Sequence, residues 1–226
     1  MIDFRDFILF LKNPGLGRQF EINSIFSFLK LVWKSFFILL TIAFITGLGL
    51  SIPLKYFNLW PPPEDINFSL FNIFKIALFL PIVEELIFRL PLRISKVNLA
   101  ATLSIILFLI LYKFNIYLSL SLSIVLFGFL HLRIKNDSSG LKRIDRFFIK
   151  YFFYLFYSQA FVFGFFHLTN YKLDFKYFYL FPLFVANQIF MGCFFGYLRV
   201  RYKYGIYVCI VTHIVVNSIY CLVLSQ

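Results

Sequence analysis

The stretch FNIFKIALFLPIVEELIFRLPLR, residues 71–93, decides how this chain is read. Its first ten residues are nearly all apolar, and then Glu84 and Glu85 stand side by side, with Arg89 and Arg93 following at four-residue spacing. An ionised carboxylate near the middle of a bilayer costs on the order of 3 kcal/mol or more, so an adjacent pair must be held by partners or used. Helical positions four apart share a face, which makes Glu85 and Arg89 an expected ion pair and carries the stripe on to Arg93. Glu84 is rotated by about 100° from its neighbour and is not served by Arg89 in the same way. A structural ion pair therefore accounts for Glu85 and Arg89 but not for Glu84, and an intramembrane carboxylate without that account reads as functional. Pro81, one turn earlier, is expected to kink the helix and free a carbonyl, which is tolerated where a cavity is lined.

The rest of the chain has the same character. Of 226 residues, 61% are hydrophobic, 23% aromatic and only 14% charged, with a mean hydropathy of +0.85. Soluble domains hold about 45–50% apolar and about 25% charged residues, so the excess points to an integral membrane protein. The net charge of +12 falls between apolar runs, without an Arg-rich tract, and signals membrane orientation rather than nucleic-acid binding. Cys193, Cys209 and Cys221 lie inside apolar runs with no Cys-x-x-Cys, which predicts neither a disulfide framework nor a cysteine-rich metal site.

A spanning helix needs about 20 apolar residues. Seven candidates follow: 29–52, 70–93, 98–113, 116–133, 148–168, 178–199 and 205–224. The fold expected is an all-α polytopic bundle of about seven transmembrane helices. A short amphipathic helix (Phe4, Phe7, Ile8, Leu9 and Leu11) precedes it, in place of a signal peptide. Residues 1–22 form this interfacial segment, and residues 23–226 form one transmembrane domain. The connection 53–68 is proline-rich, 133–146 is a polar and basic loop, and 199–205 is a short basic turn. With the N-terminus inside, fourteen Lys and Arg residues fall in inner segments and four (Lys55, Lys113, Lys172 and Lys176) in outer ones. This bias favours a cytoplasmic N-terminus, an external C-terminus and an odd number of spans.

Two further polar groups sit in the oil. In FVFGFFHLTNY, residues 161–171, Phe163 and His167 are four apart, and Ala160 and Gly164 form a small-xxx-small pair that lets another helix come close. In VTHIVVNSIY, residues 211–220, His213 and Asn217 share a face. Each alone reads as interhelical packing or hydrogen bonding. Together with Glu84 they supply a carboxylate, two imidazoles and an amide, enough to activate water and stabilise an oxyanion. Glu84, His167 and His213 are also a zinc-ligand set, although His-Glu-x-x-His is absent. Gly192 and Gly196 read as close helix packing, and Asn187 and Gln188 as cavity lining or interhelical glue.

The ordered trio Glu84-Glu85-x-x-x-Arg89, Phe163-x-x-x-His167 and His213-x-x-x-Asn217 resembles the CPBP intramembrane proteases. These include the type II CAAX prenyl endopeptidases and the bacteriocin-processing or self-immunity proteins. The resemblance covers about residues 75–220. It implies an intramembrane endopeptidase in which Glu84 and His167 activate water, His213 and Asn217 form the oxyanion hole, and Arg89 organises the site through Glu85. It implies no cofactor in the glutamate-dependent members, with zinc on Glu84, His167 and His213 as the alternative. The partners implied are membrane lipid and a peptide or membrane-protein substrate, in a bacterial plasma membrane. A non-catalytic immunity, peptide-binding or transport protein could use the same cavity. The gap from Glu84 to His167 is long for this family, and Phe127-x-x-x-His131 is a second match to the middle motif. In the expected topology His167 lies near the outer end of its helix, so that helix must start deep, tilt or end short for the site to close.

Overall fold

A computed structural model describes residues 4–64, 69–136 and 138–224. Asp3, residues 65–68 of the proline-rich connection, and residue 137 of the basic one lie outside this description. Among the described residues the structure is all-α, without a strand. The helices are α1 (Phe4–Lys12), α2 (Ile25–Thr46), α3 (Ile52–Tyr56), α4 (Leu70–Phe74), α5 (Leu80–Phe88), α6 (Lys96–Leu111), α7 (Ile116–Asn136), α8 (Ser138–Phe166), α9 (Phe181–Phe184), α10 (Ala186–Arg201) and α11 (Gly205–Leu224). Each expected span corresponds to a helical segment, and five stretches are long and apolar enough to cross a membrane. Lys96–Leu111 is a shorter apolar helix, and the stretch with Lys75, Glu84 and Glu85 is not among the five. The chain is an integral membrane protein.

Local sequence sets the helix starts. Ser24, Ser69 and Ser95 each cap a helix by accepting a hydrogen bond from the backbone N–H three residues on. Prolines shape the interiors. A π-helical turn, Gly47–Ser51, lies between α2 and Pro53 of α3, and another, Lys75–Phe79, between α4 and Pro81 of α5. Proline lacks an N–H, and its ring clashes with the carbonyl four residues back; the wider turn makes room for it. Two differences from the sequence expectation follow from local chemistry. The basic connection 133–146 is helical on both sides of residue 137, because Lys142, Arg143, Ile144 and Arg146 include good helix formers and no proline interrupts them. The span 178–199 is broken at Val185, between the short proline-led α9 and α10.

α10 is the axis of the fold, with every residue from Met191 to Val200 buried. α8 lies close against it where side chains are small. A Cβ at Gly192 would sit 3.0 Å from Ala160 Cα and 3.1 Å from its carbonyl oxygen. A larger side chain here has no room, so Gly192→Leu is expected to cost about 1–3 kcal/mol through overpacking, read as a lower unfolding temperature in detergent. α11 packs against α10, α2, α5 and the Lys75–Phe79 turn. α1 is amphipathic, as expected, and docks on protein: Phe7 stacks edge-on against Phe194 and Phe10 against Phe156, while Phe4 and Leu9 stay exposed. Asp6 accepts from the Tyr197 hydroxyl (2.8 Å) and pairs with Arg201 (3.2 Å).

The connections gather into two groups. At one end the Phe20 N–H donates to Arg201 O (2.7 Å), the Lys203 N–H donates to Phe20 O (3.1 Å), and Arg93 Nη2 donates to Gly17 O (2.8 Å) and Val200 O (2.7 Å). At the other, the Glu64 N–H donates to Asn170 O (2.8 Å), the Lys172 N–H donates to Pro62 O (2.9 Å), and Trp60 packs on Tyr171 and Phe184. Segments assigned to one side of the membrane by charge therefore meet one another.

Candidate active site

The site is built on α5, the end of α8, and α11. Glu85 and Arg89, one turn apart on α5, are both fully buried, with Arg89 Nε 3.3 Å from Glu85 Oε2. The other Glu85 oxygen is taken by α11: His213 Nδ1 lies 2.9 Å from Oε1. Because a carboxylate accepts, Nδ1 is assigned the proton, and Nε2 is turned towards Glu84, 3.7 Å from Oε2. Glu84 is about one-quarter exposed, whereas Glu85 and His213 are enclosed. The two adjacent carboxylates thus occupy different environments on the two sides of one imidazole.

α8 closes the other side. Its Phe163 ring carries the Arg89 guanidinium on its face, 3.9 Å from the centroid, and lies edge-on to both His167 (4.8 Å) and His213 (6.1 Å). A desolvated cation on an aromatic face contributes about 2 kcal/mol. His167 stands where α8 gives way to a tight turn, His167–Asn170. Its Nδ1 donates to the Phe163 carbonyl (2.9 Å), which leaves Nε2 with its lone pair in the neutral ring. His167 is close enough to Glu84, His213 and Arg89 to interact with them electrostatically. α8 is kinked at Tyr151 and stops at Phe166, and its last turns meet α5 through Phe88, which packs on Phe163 and Phe166. His131, by contrast, stacks on Phe127 of its own helix, and its Nδ1 has no hydrogen-bond partner among the described residues.

Asn217 is one turn beyond His213, and its Nδ2 donates to the Ile76 carbonyl (3.1 Å). That carbonyl is free because of Pro81. In the π turn the Leu80 N–H goes to Lys75 O, and the next residue, Pro81, has none to give. The carbonyl released by the proline is thus capped by a side chain from α11, and this fixes the register of α11 on α5. One amide hydrogen of Asn217 is used in this way, and among the described residues the other has no partner.

Some residues near the site were not singled out from sequence. The sequence places Arg199 in a short basic turn. It is buried on α10 and caps the end of α5, with Nε donating to Arg89 O (3.1 Å) and Nη2 to Leu90 O (3.4 Å). A cation suits the carbonyl end of a helix. Arg199→Met is expected to lower stability by about 1–3 kcal/mol and activity with it, and Arg199→Lys to lose less, measured by unfolding temperature and turnover on the same samples. Phe195 covers the far face of the His213 ring, with centroids 5.3 Å apart. Asn187 lies by α2, 3.4 Å from the Thr46 hydroxyl, as interhelical glue.

No group of three His, Cys, Asp or Glu side chains among the described residues is disposed to hold an ion. The Nδ1 atoms of His213 and His167 are engaged by Glu85 and the Phe163 carbonyl, which leaves the Nε2 atom of each ring without a hydrogen bond among the described residues.

No curated protein and no solved structure matches the chain. A family model does, over residues 141–219, which take in Phe163, His167, His213 and Asn217 and leave Glu84, Glu85 and Arg89 outside. The family so matched is described as type II CAAX prenyl endopeptidase Rce1-like, and with the ordered motifs of α5, α8 and α11 this supports the chain as a CPBP family protein.

Proposed function

We propose that the protein is an intramembrane endopeptidase that uses a water activated by Glu84 and His167. The observation that carries the reading is the division between the glutamates. Glu85 is committed to Arg89 and His213, whereas Glu84 is partly exposed and faces His213 Nε2 across 3.7 Å. The match to the CAAX prenyl endopeptidase family supports the same chemistry. Glu84 takes a proton from water, with the free Nε2 of His167 as its neighbour base. As the hydroxide adds to a peptide carbonyl, the new oxyanion is stabilised by hydrogen-bond donors from α11, His213 Nε2 when it carries a proton and the second amide hydrogen of Asn217. The proton then passes to the leaving amine. Each of these steps uses the chain's own residues. The substrate is a peptide or the tail of a membrane protein, and the protein sits in a bacterial plasma membrane with its N-terminus cytoplasmic and its C-terminus outside.

The test compares protein termini in membranes of cells expressing wild type or Glu84→Gln at matched levels. Termini that appear only with wild type identify both the activity and its substrates. Identical termini, with both proteins folded, would overturn the reading in favour of a binding or transport protein.

A further inference from the structure

α10 turns one stripe of side chains towards the site: Gln188, Phe195 and Arg199, set at helical spacings of seven and four residues. Two of the three show where the stripe points. Phe195 covers the His213 ring and lies 5.7 Å from the Arg89 guanidinium, and Arg199 donates to the Arg89 carbonyl. Gln188 is on the same face, about 10 Å before Phe195 along the helix axis. Two neighbours fix its level. A Cβ on Gly164 would stand 3.1 Å from the Ile189 backbone nitrogen, so the first turn of α10 sits beside the last turn of α8, between Phe163 and His167. α11 runs back along α10: Cys209 Sγ donates to Phe195 O (3.2 Å) and His213 lies on the Phe195 ring, which sets Gln188 level with the turn of α11 that carries Asn217. Gln188 is half-buried, and its Oε1 is enclosed with no hydrogen-bond partner among the described residues. Asn187 beside it faces the other way, to the Thr46 hydroxyl of α2.

We infer that Gln188 binds the backbone of the peptide substrate, its carboxamide pairing with one peptide unit close to the scissile bond. An enclosed amide oxygen without a partner weakens the fold, so Gln188 does not serve packing. A carboxamide holds an acceptor and a donor in one plane, the complement of a peptide N–H and C=O. A substrate segment opened for cleavage inside a membrane has backbone groups that water does not reach, and each must be satisfied by the protein. The substrate N–H donates to Gln188 Oε1, and Gln188 Nε2 donates to a substrate carbonyl. This contact reads the extended backbone and is indifferent to the side chains on it. The inference rests on the proposed proteolysis, to which it adds a substrate-binding residue on a fourth helix.

The test uses the full-length protein in detergent and a synthetic peptide spanning a cleavage site identified from membrane termini. Gln188→Met is expected to raise KM by about tenfold, the equivalent of one or two hydrogen bonds. Its kcat should stay within about twofold of wild type, because backbone pairing is made in the ground state and the transition state alike. Its unfolding temperature should equal or exceed that of wild type, since methionine fills the same space and leaves no oxygen unpaired. A residue that only joined helices would show the reverse, a lower unfolding temperature with KM unchanged. Cleavage by wild type with the same KM in Gln188→Met overturns the inference and leaves the proteolysis standing. So does a lower unfolding temperature in Gln188→Met, which would make the residue structural. No cleavage by wild type above the Glu84→Gln background overturns the proteolysis, and this inference with it.

Discussion

Glu84→Gln is expected to abolish turnover and leave the folded protein intact. The side chain is partly exposed and lies 3.7 Å from His213 Nε2, too long for a hydrogen bond, so an isosteric amide removes little that holds the fold. It removes the base, which is worth about 10²–10⁴-fold in rate. His167→Gln should fall in the same range, and the double variant should be no slower than about the worse single, because groups that act on one water are not additive. The measurement is cleavage of a substrate identified from membrane termini, with unfolding temperature in detergent recorded on the same preparations. A Glu84→Gln protein that cleaves at the wild-type rate would remove this residue from the chemistry.

The sequence carried more of this site than its assembly. The Glu85–Arg89 pair follows from four-residue spacing, and so does the separation of Glu84 from it; both need only helix geometry. That His213 would join Glu85 was not legible, since its partner is 128 residues away and depends on how α11 lies on α5. Asn217 shows the limit most clearly. Pro81 announces a freed carbonyl in sequence, but the π turn determines that it is Ile76, and tertiary packing determines that Asn217 caps it. Arg199 was hidden for a related reason: one arginine among several at a helix end reads as a solvated charge, and only its contact with the Arg89 and Leu90 carbonyls separates it from Arg201 and Lys203. The long gap before His167 was visible, and so was the competing His131. The end of α8 at Phe166, which puts His167 in a tight turn while His131 stays within α7, is not marked in a uniformly apolar and aromatic run.

Arg89→Met is expected to be the most destabilising single substitution in the site. Arg89 and Glu85 have no exposed side-chain surface, and Arg89 also lies on the Phe163 ring. Removing one partner of a buried pair leaves the other charge without compensation, at about 3–5 kcal/mol. Here the abandoned group is Glu85, which keeps only His213 at 2.9 Å. Glu85→Gln should cost less than Arg89→Met, because the amide oxygen still accepts from His213 Nδ1 while Arg89 keeps its aromatic face. The double variant Glu85→Gln/Arg89→Met should be more stable than the sum of the singles predicts, with a coupling of about 0.5–3 kcal/mol. Unfolding temperatures in one detergent, for wild type, both singles and the double, give that coupling directly. An Arg89→Met protein as stable as wild type would show that the pair does not hold α5, and the division of labour between the two glutamates would lose its physical basis. If instead the pair is strongly coupled and Glu84→Gln is silent in the same assay, the adjacent carboxylates are separated by experiment as they are by geometry: Glu85 holds the site and Glu84 is left free to act in it.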